Sequence, residues 1–178
     1  QPLNDAPGYG DGKCFCNTSD KEILGQVLNN YDQETVDFYR WTEEYGKGAI
    51  SELIQERSGI SIGVLKSIKP LERGISGRIY KLALIGSERT LIIGKELEIR
   101  RTLSKTHLKS SAFEVEYLST DGAVVSSDAD WTALRLLGSG WGHGVGLCQI
   151  GAAVMAVEGY DCTQILEHYY PGSDLEKE

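Results

Sequence analysis

A chain of 178 residues that is 40% hydrophobic is long enough for one ordinary core, so a single domain over 1–178 is expected. The formal net charge of -8 and a pI near 5.0 argue against a nucleic-acid partner, since phosphate recognition wants a basic face and the 18 Lys and Arg residues form no long run. Apolar clusters such as LALIG and TLIIG are strand-sized, too short to cross a bilayer, so no membrane span is expected.

The opening QPLNDAPGYGDGK is rich in Gly, Pro and Asp, lacks periodicity and does not begin with Met, so 1–17 reads as a flexible or cut N-terminal segment. Cys14 and Cys16 are separated by one residue, a poor spacing for zinc. With Cys148 and Cys162 they make too small and irregular a set for a disulfide framework, and small, partly buried thiols are expected, with no metal and no cofactor. TSDKEILGQVLNNY offers Thr18 or Ser19 as an N-cap and Ile23, Leu24, Val27 and Leu28 at helical spacing, which predicts a first helix. TVDFYRWTEEY alternates Val36 and Phe38 with polar neighbours and predicts a strand. A second helix follows in KGAISELIQERSG, with Ile50, Leu53 and Ile54 on one face and Gly59 as its stop.

From Val64 onward VLKSIKPLERG, SGRIYKLALIG and RTLIIG are three short β-rich runs, as in an antiparallel meander. KELEIRRTLSKTHLKS fits one or two helical turns, while SSAFEVEYLST and WTALRLLGSG read as strands. CQIGAAVMAVEGY carries Ile150, Ala153, Val154 and Val157 at helical spacing and ends at Gly159. DCTQILEHYYPG has Asp161 or Thr163 as a cap, an apolar face of Ile165, Leu166 and Tyr169, and Pro171 as terminator. The mixed order predicts an α+β fold of mostly antiparallel strands with several short helices, closing on strand, glycine turn, helix, helix.

Between the last strand and those helices, LGSGWGHGVGLCQIGAA places glycine at 138, 140, 142, 144 and 146. On an extended strand these glycines would form one bare face, with Ser139, Trp141, His143, Val145 and Leu147 on the other. They either bend the chain sharply into the helix at Gly146 or let a ligand lie against the backbone; unusual dihedrals alone are an equally good reason for them. Trp141 offers a flat apolar face of the kind that stacks on sugar rings, His143 exchanges protons near neutral pH, and Gln149 supplies an amide donor and acceptor. Each is ordinary alone, and a single histidine is more often structural than catalytic.

GSGWGHGVGLCQIGAAVMAVEGYDCTQILEHYYPG resembles, through more than thirty residues, the C-terminal signature of the stage II sporulation protein D (SpoIID/LytB) family. SGRIYKLALIG and the stretch with Arg100, Leu103 and Ser110 to Phe113 resemble its middle portion, so the resemblance covers roughly 60–174. It implies an extracytoplasmic protein of the bacterial cell envelope that acts on peptidoglycan. Better characterised members are lytic transglycosylases, which cut glycan strands lacking stem peptides and close an anhydro sugar. On that reading Trp141, His143, Gln149, Gly142, Gly144, Gly146, Tyr169 and Tyr170 contact the saccharide.

Such a cleavage needs a general acid of raised pKa. In the family the acid is a glutamate in a Gly-Glu motif followed by an alanine-rich run containing Ala-Arg-Thr, and this chain lacks that motif; AISELIQERSG is the comparable helix without it. The family's zinc site of Cys and His is unmatched too, so Cys14 and Cys16 inherit no role from it. The expectation is therefore the glycan-binding C-terminal part of a longer SpoIID-like protein, inactive alone. Glu167, beside His168 and Tyr169, and Glu158, at the end of the signature helix, are weak catalytic candidates that a solvated helix face explains more economically. The alternative is the amidase-enhancer branch, a non-catalytic partner of a cell-wall amidase. Cys148 stands where Ser is frequent in the family, and a small buried thiol is its default reading.

Overall fold

The computed structural model describes residues 14–27 and 39–176, so Leu28, Val36 and Phe38 lie outside the described residues. It is α+β, with strands in two antiparallel sheets. One sheet is the expected meander, β2 (Leu65–Arg73), β3 (Ile79–Gly86) and β4 (Thr90–Gly94), paired in that order. Pro70 fits within it because β2 is an edge strand, and the register shifts just after that residue, between Pro70 and Glu72. The other sheet runs β1 (Arg40–Gly46), β7 (Ala133–Ser139), β5 (Phe113–Leu118) and β6 (Val124–Val125). β6 has two residues, too few for any alternation to register in the sequence.

The core lies between these sheets and α2 (Lys47–Ser58), whose Ile50, Leu53 and Ile54 are buried as their spacing predicts. Gly59 caps α2 in the left-handed region at φ 72°. α3 (Glu96–Thr102) buries Ile99, and its Arg100 is held inside by donating to the Leu108 carbonyl at 2.7 Å. Two side chains bind to the backbone of β2. The Tyr117 hydroxyl accepts from the Ile68 amide at 2.8 Å and donates to its carbonyl at 3.2 Å, and the Trp131 indole donates to Lys66 O at 3.0 Å.

Two local expectations change. The cap of α1 (Lys21–Val27) is Asp20, not Thr18 or Ser19: its carboxylate accepts from the Glu22 amide at 2.9 Å, while Thr18 accepts from Asp20 itself. On α4 (Gln149–Val157) the buried residues are Gly151 and Met155, one turn apart, whereas Val157 is 66% exposed. The cause is Tyr169, whose hydroxyl approaches so closely that a Cβ at 151 would lie 2.1 Å from it. α5 (Cys162–Tyr169) starts from Asp161, one of the two caps its sequence offers, in a reciprocal cap with Gln164. Among the described residues no helix is long and apolar enough to cross a membrane.

Candidate functional site

β7 ends at Ser139, and the glycine run beyond it is not a strand. Gly140, Gly142, Gly144 and Gly146 have φ of 71°, 79°, 71° and 78°, so every second residue turns left-handed and the run curls into a loop. A side chain is strained in that region, which is the physical reason for glycine at alternate positions. Gly138 has a different reason: it is still in the strand, and a Cβ there would sit 1.9 Å from the buried Trp41 ring.

The loop's polar backbone is tied down on several sides. Gly140 N donates to Tyr39 O at 2.7 Å and Gly142 N to Lys109 O at 2.8 Å. The Gly140 carbonyl accepts from the Trp41 indole at 3.2 Å, and that of Gly142 from Arg78 Nε at 2.9 Å. At the loop's entrance the buried Ser110 hydroxyl donates to Ser139 O at 2.6 Å. At its exit Leu147 N donates to the Tyr170 hydroxyl at 3.2 Å. These anchors fix an unusual path in one shape.

That path floors a cavity of about 720 Å³. Gly140 to Ile150 line it from below, with Tyr39, Ile75, Ser76 and Arg78 on one side and Cys16, His168 and Tyr169 on the other. Of the residues singled out in the sequence, Trp141, Gly142, His143, Gly144, Gly146, Gln149 and Tyr169 meet there; Tyr170 instead props the loop from outside the lining. Trp141 is 44% exposed, leaving indole surface for a ligand. His143 Nδ1 accepts from the Val145 amide at 3.0 Å, so the neutral ring carries its proton on Nε2. Glu158 and Glu167 are exposed on α4's end and on α5, and neither is in the lining.

Sequence reasoning passed over two features. Arg78 is half-buried beneath the loop, its guanidinium occupying the space above Gly144, and a lone Arg before a strand carries no distinguishing signal. The second is a gathering of thiols on the cavity wall. Cys14 and Cys16 sulfurs stand 2.8 Å apart, and the Cys16 side chain also interacts with that of Cys148. Cys148 caps α4, accepting from the Gly151 amide at 3.5 Å. The Cys16 contact, aided by the Gly151 and Ile150 amides and Arg78, lowers the Cys148 thiol to about 6 despite partial burial. Cys14 falls to about 6 through the same neighbour, and Cys16, the neighbour common to both, is pushed far up. Burial, with the thiols adding to it, raises the Tyr169 phenol. Among the described residues no three His, Cys, Asp or Glu side chains are arranged to hold a metal ion, so the zinc that the family resemblance implies finds no fitting donor set.

In sequence the chain is SpoIID/LytB-like, by partial similarity to two curated proteins. Residues 2–146 match the family described as Domain of unknown function (DUF8618), and the chain belongs to that family. It is 35% identical over 85 residues to Stage II sporulation protein D of Bacillus amyloliquefaciens, a match covering 48% of this chain and 21% of that protein. Over 51 residues it is 39% identical to Amidase enhancer of Bacillus subtilis (strain 168), covering 29% of this chain and 7% of the relative. The matches thus span about a fifth of the first relative and less than a tenth of the second.

Proposed function

We propose that this chain is the peptidoglycan-binding part of a SpoIID-like lytic transglycosylase, working on glycan strands at the extracytoplasmic face of a bacterial cell envelope. The observation that carries the reading is the cavity floored by the curled glycine loop, with Trp141, His143 and Gln149 around it. A saccharide presents apolar C–H faces and a ring of hydroxyls. The exposed indole suits the first, and the imidazole Nε2–H and the Gln149 amide suit the second. At Gly142 nothing lies within 4 Å of where a Cβ would stand, so a sugar can approach the backbone itself.

The described lining contains no Asp or Glu, whereas transglycosylation needs a carboxylic acid to protonate the glycosidic oxygen. That favours binding here and an acid supplied from elsewhere in the polypeptide. The test is mass spectrometry of the products when purified glycan strands are incubated with this chain and, in parallel, with the full product of its gene. Retention of strands by both, with anhydro-muramyl ends released by the longer protein alone, is the expected result; no such ends from either sinks the transglycosylase.

A second reading, a non-catalytic enhancer of a cell-wall amidase, has its own support in the cavity rim, where Ile75 and Val145 are 85% and 75% exposed. The relative named Amidase enhancer points the same way. On that reading the chain raises an amidase's turnover and neither retains nor cuts glycan.

A further inference from the structure

Three of the four cysteines converge from opposite ends of the chain onto one wall of the cavity. Small thiols that serve only as packing belong in the core. Cys14, Cys16 and Cys148 are only partly buried, and the last two line a space open to small molecules. Cys16 is the shared neighbour: its sulfur stands 2.8 Å from that of Cys14, and its side chain interacts with that of Cys148 in the same cavity lining. Phe15 holds this arrangement in place, its ring packed edge-on against Tyr160 and His168 with centroids at 5.7 and 5.3 Å. Cys148 sits where the first amides of a nine-residue helix face its sulfur.

We propose that these thiols form a redox site that exchanges with low-molecular-weight disulfides and closes a Cys16–Cys148 bond. The Cys148 thiolate attacks one sulfur of the small disulfide RSSR, giving Cys148–S–SR and releasing RS⁻. Cys16 then attacks the Cys148 sulfur, and its proton passes to the Cys14 thiolate 2.8 Å away. The second RS⁻ leaves. Two protein thiols are oxidised, one external disulfide is reduced to two thiolates, and Cys14 ends protonated. The bond ties the segment before α1 to the first turn of α4, 132 positions further on by subtraction of 16 from 148, and so fixes one wall of the cavity. Cys162, exposed on α5, stands apart from the cluster.

The experiment uses oxidised glutathione as the probe on the whole chain, with quenching by N-ethylmaleimide and peptide mapping by mass spectrometry. The expected result is loss of two thiols together and a peptide pair linked through Cys16 and Cys148. Cys16→Ser should instead stop at glutathione retained on Cys148, and Cys162→Ser should behave as the parent. Independent modification of all four cysteines with no 16–148 link overturns the proposal, and so does a link through Cys162. Stoichiometric zinc that protects the three thiols until a chelator removes it overturns it equally. The map of the parent chain decides the matter even where a variant fails to fold.

Discussion

Arg78 Nε donates to the carbonyl oxygen of Gly142 at 2.9 Å, and the same guanidinium fills the place where a side chain at position 144 would begin. A residue just before β3 thereby holds the centre of the glycine loop. The two glycines differ in what they require. At Gly142 (φ 79°) a Cβ meets nothing, so Gly142→Ala carries only the left-handed strain, roughly 1–2 kcal/mol. At Gly144 a Cβ would lie 2.2 Å from Arg78 Nη1, so Gly144→Ala adds displacement of a charge-assisted bond, about 1.5–3 kcal/mol more. Thermal unfolding should therefore show a drop for Gly144→Ala about two and a half times that for Gly142→Ala. In an Arg78→Ala background the two should become equal; a persistent difference would mean that Arg78 does not set the requirement.

Gly138 faces a harder obstacle, because the Trp41 ring that a Cβ would strike is buried and its indole N–H is committed to Gly140 O. Gly138→Ala is expected to destabilise by about 3 kcal/mol, the upper end for overpacking, or roughly 6–12 °C in Tm for a chain of this size. Trp41→Phe removes the fused part of the ring and should recover some of that loss in the double variant. Additive losses in the two single variants would refute the clash.

Much of the fold was legible because its elements are locally consistent. Ile50, Leu53 and Ile54 declare the buried face of α2, and the runs from Val64 to Gly94 declare the meander. The misreadings are tertiary. Nothing local says that Tyr169 packs on Gly151 and so turns α4 about its axis, leaving Val157 outside. At the site the sequence shows Trp141, His143 and Gln149, since loop neighbours stay neighbours in space. It also shows alternate glycines, but alternation is the mark of an extended strand too, and only the φ angles tell that from a curled loop. Arg78 and Cys16 reach the cavity across 64 and 132 positions from Gly142 and Cys148, by subtraction of their numbers, and periodicity says nothing at such range.

The reciprocal cap on α5 sets how His168 and Tyr169 reach the cavity, since this helix has eight residues and little burial of its own. Asp161→Ala removes the acceptor for the Gln164 amide and is expected to weaken the helix by about 1 kcal/mol. Faster hydrogen exchange of the α5 amides, with β3 and β7 unchanged, is the expected pattern. Uniform acceleration throughout would instead show that α5 unfolds only with the whole chain.

The two tryptophans near the loop should behave oppositely. Trp41 is 5% exposed and belongs to the core, whereas Trp141 is 44% exposed at the cavity. Trp141→Ala should leave Tm nearly unchanged and weaken glycan binding about tenfold or more, as expected for losing part of an indole face at about 25 cal/mol per Å². Co-sedimentation with purified strands measures the binding. Unaltered retention would remove Trp141 from the glycan site.

The Cys148 thiolate should reveal itself in the pH dependence of alkylation. With its pKa lowered to about 6, chiefly by the Cys16 thiol and then by the Gly151 and Ile150 amides and Arg78, carbamidomethylation of the Cys148 peptide should rise with a midpoint near pH 6. Cys16→Ala removes the leading cause and should move that midpoint toward the ordinary thiol range. The sign for stability follows from the same shift. An acid depressed from 9.0 to about 6 stabilises the folded state fully above pH 9, and that contribution is lost as pH falls through 6. Cys16, shifted upward, opposes stability only above the ordinary thiol range, so it leaves the interval from 6 to 9 to the lowered thiols. The urea midpoint of the parent should therefore exceed that of Cys148→Ala by a margin that shrinks on acidification from pH 8 to 5. A margin that stays constant with pH would show that Cys148 contributes by packing and not as a thiolate.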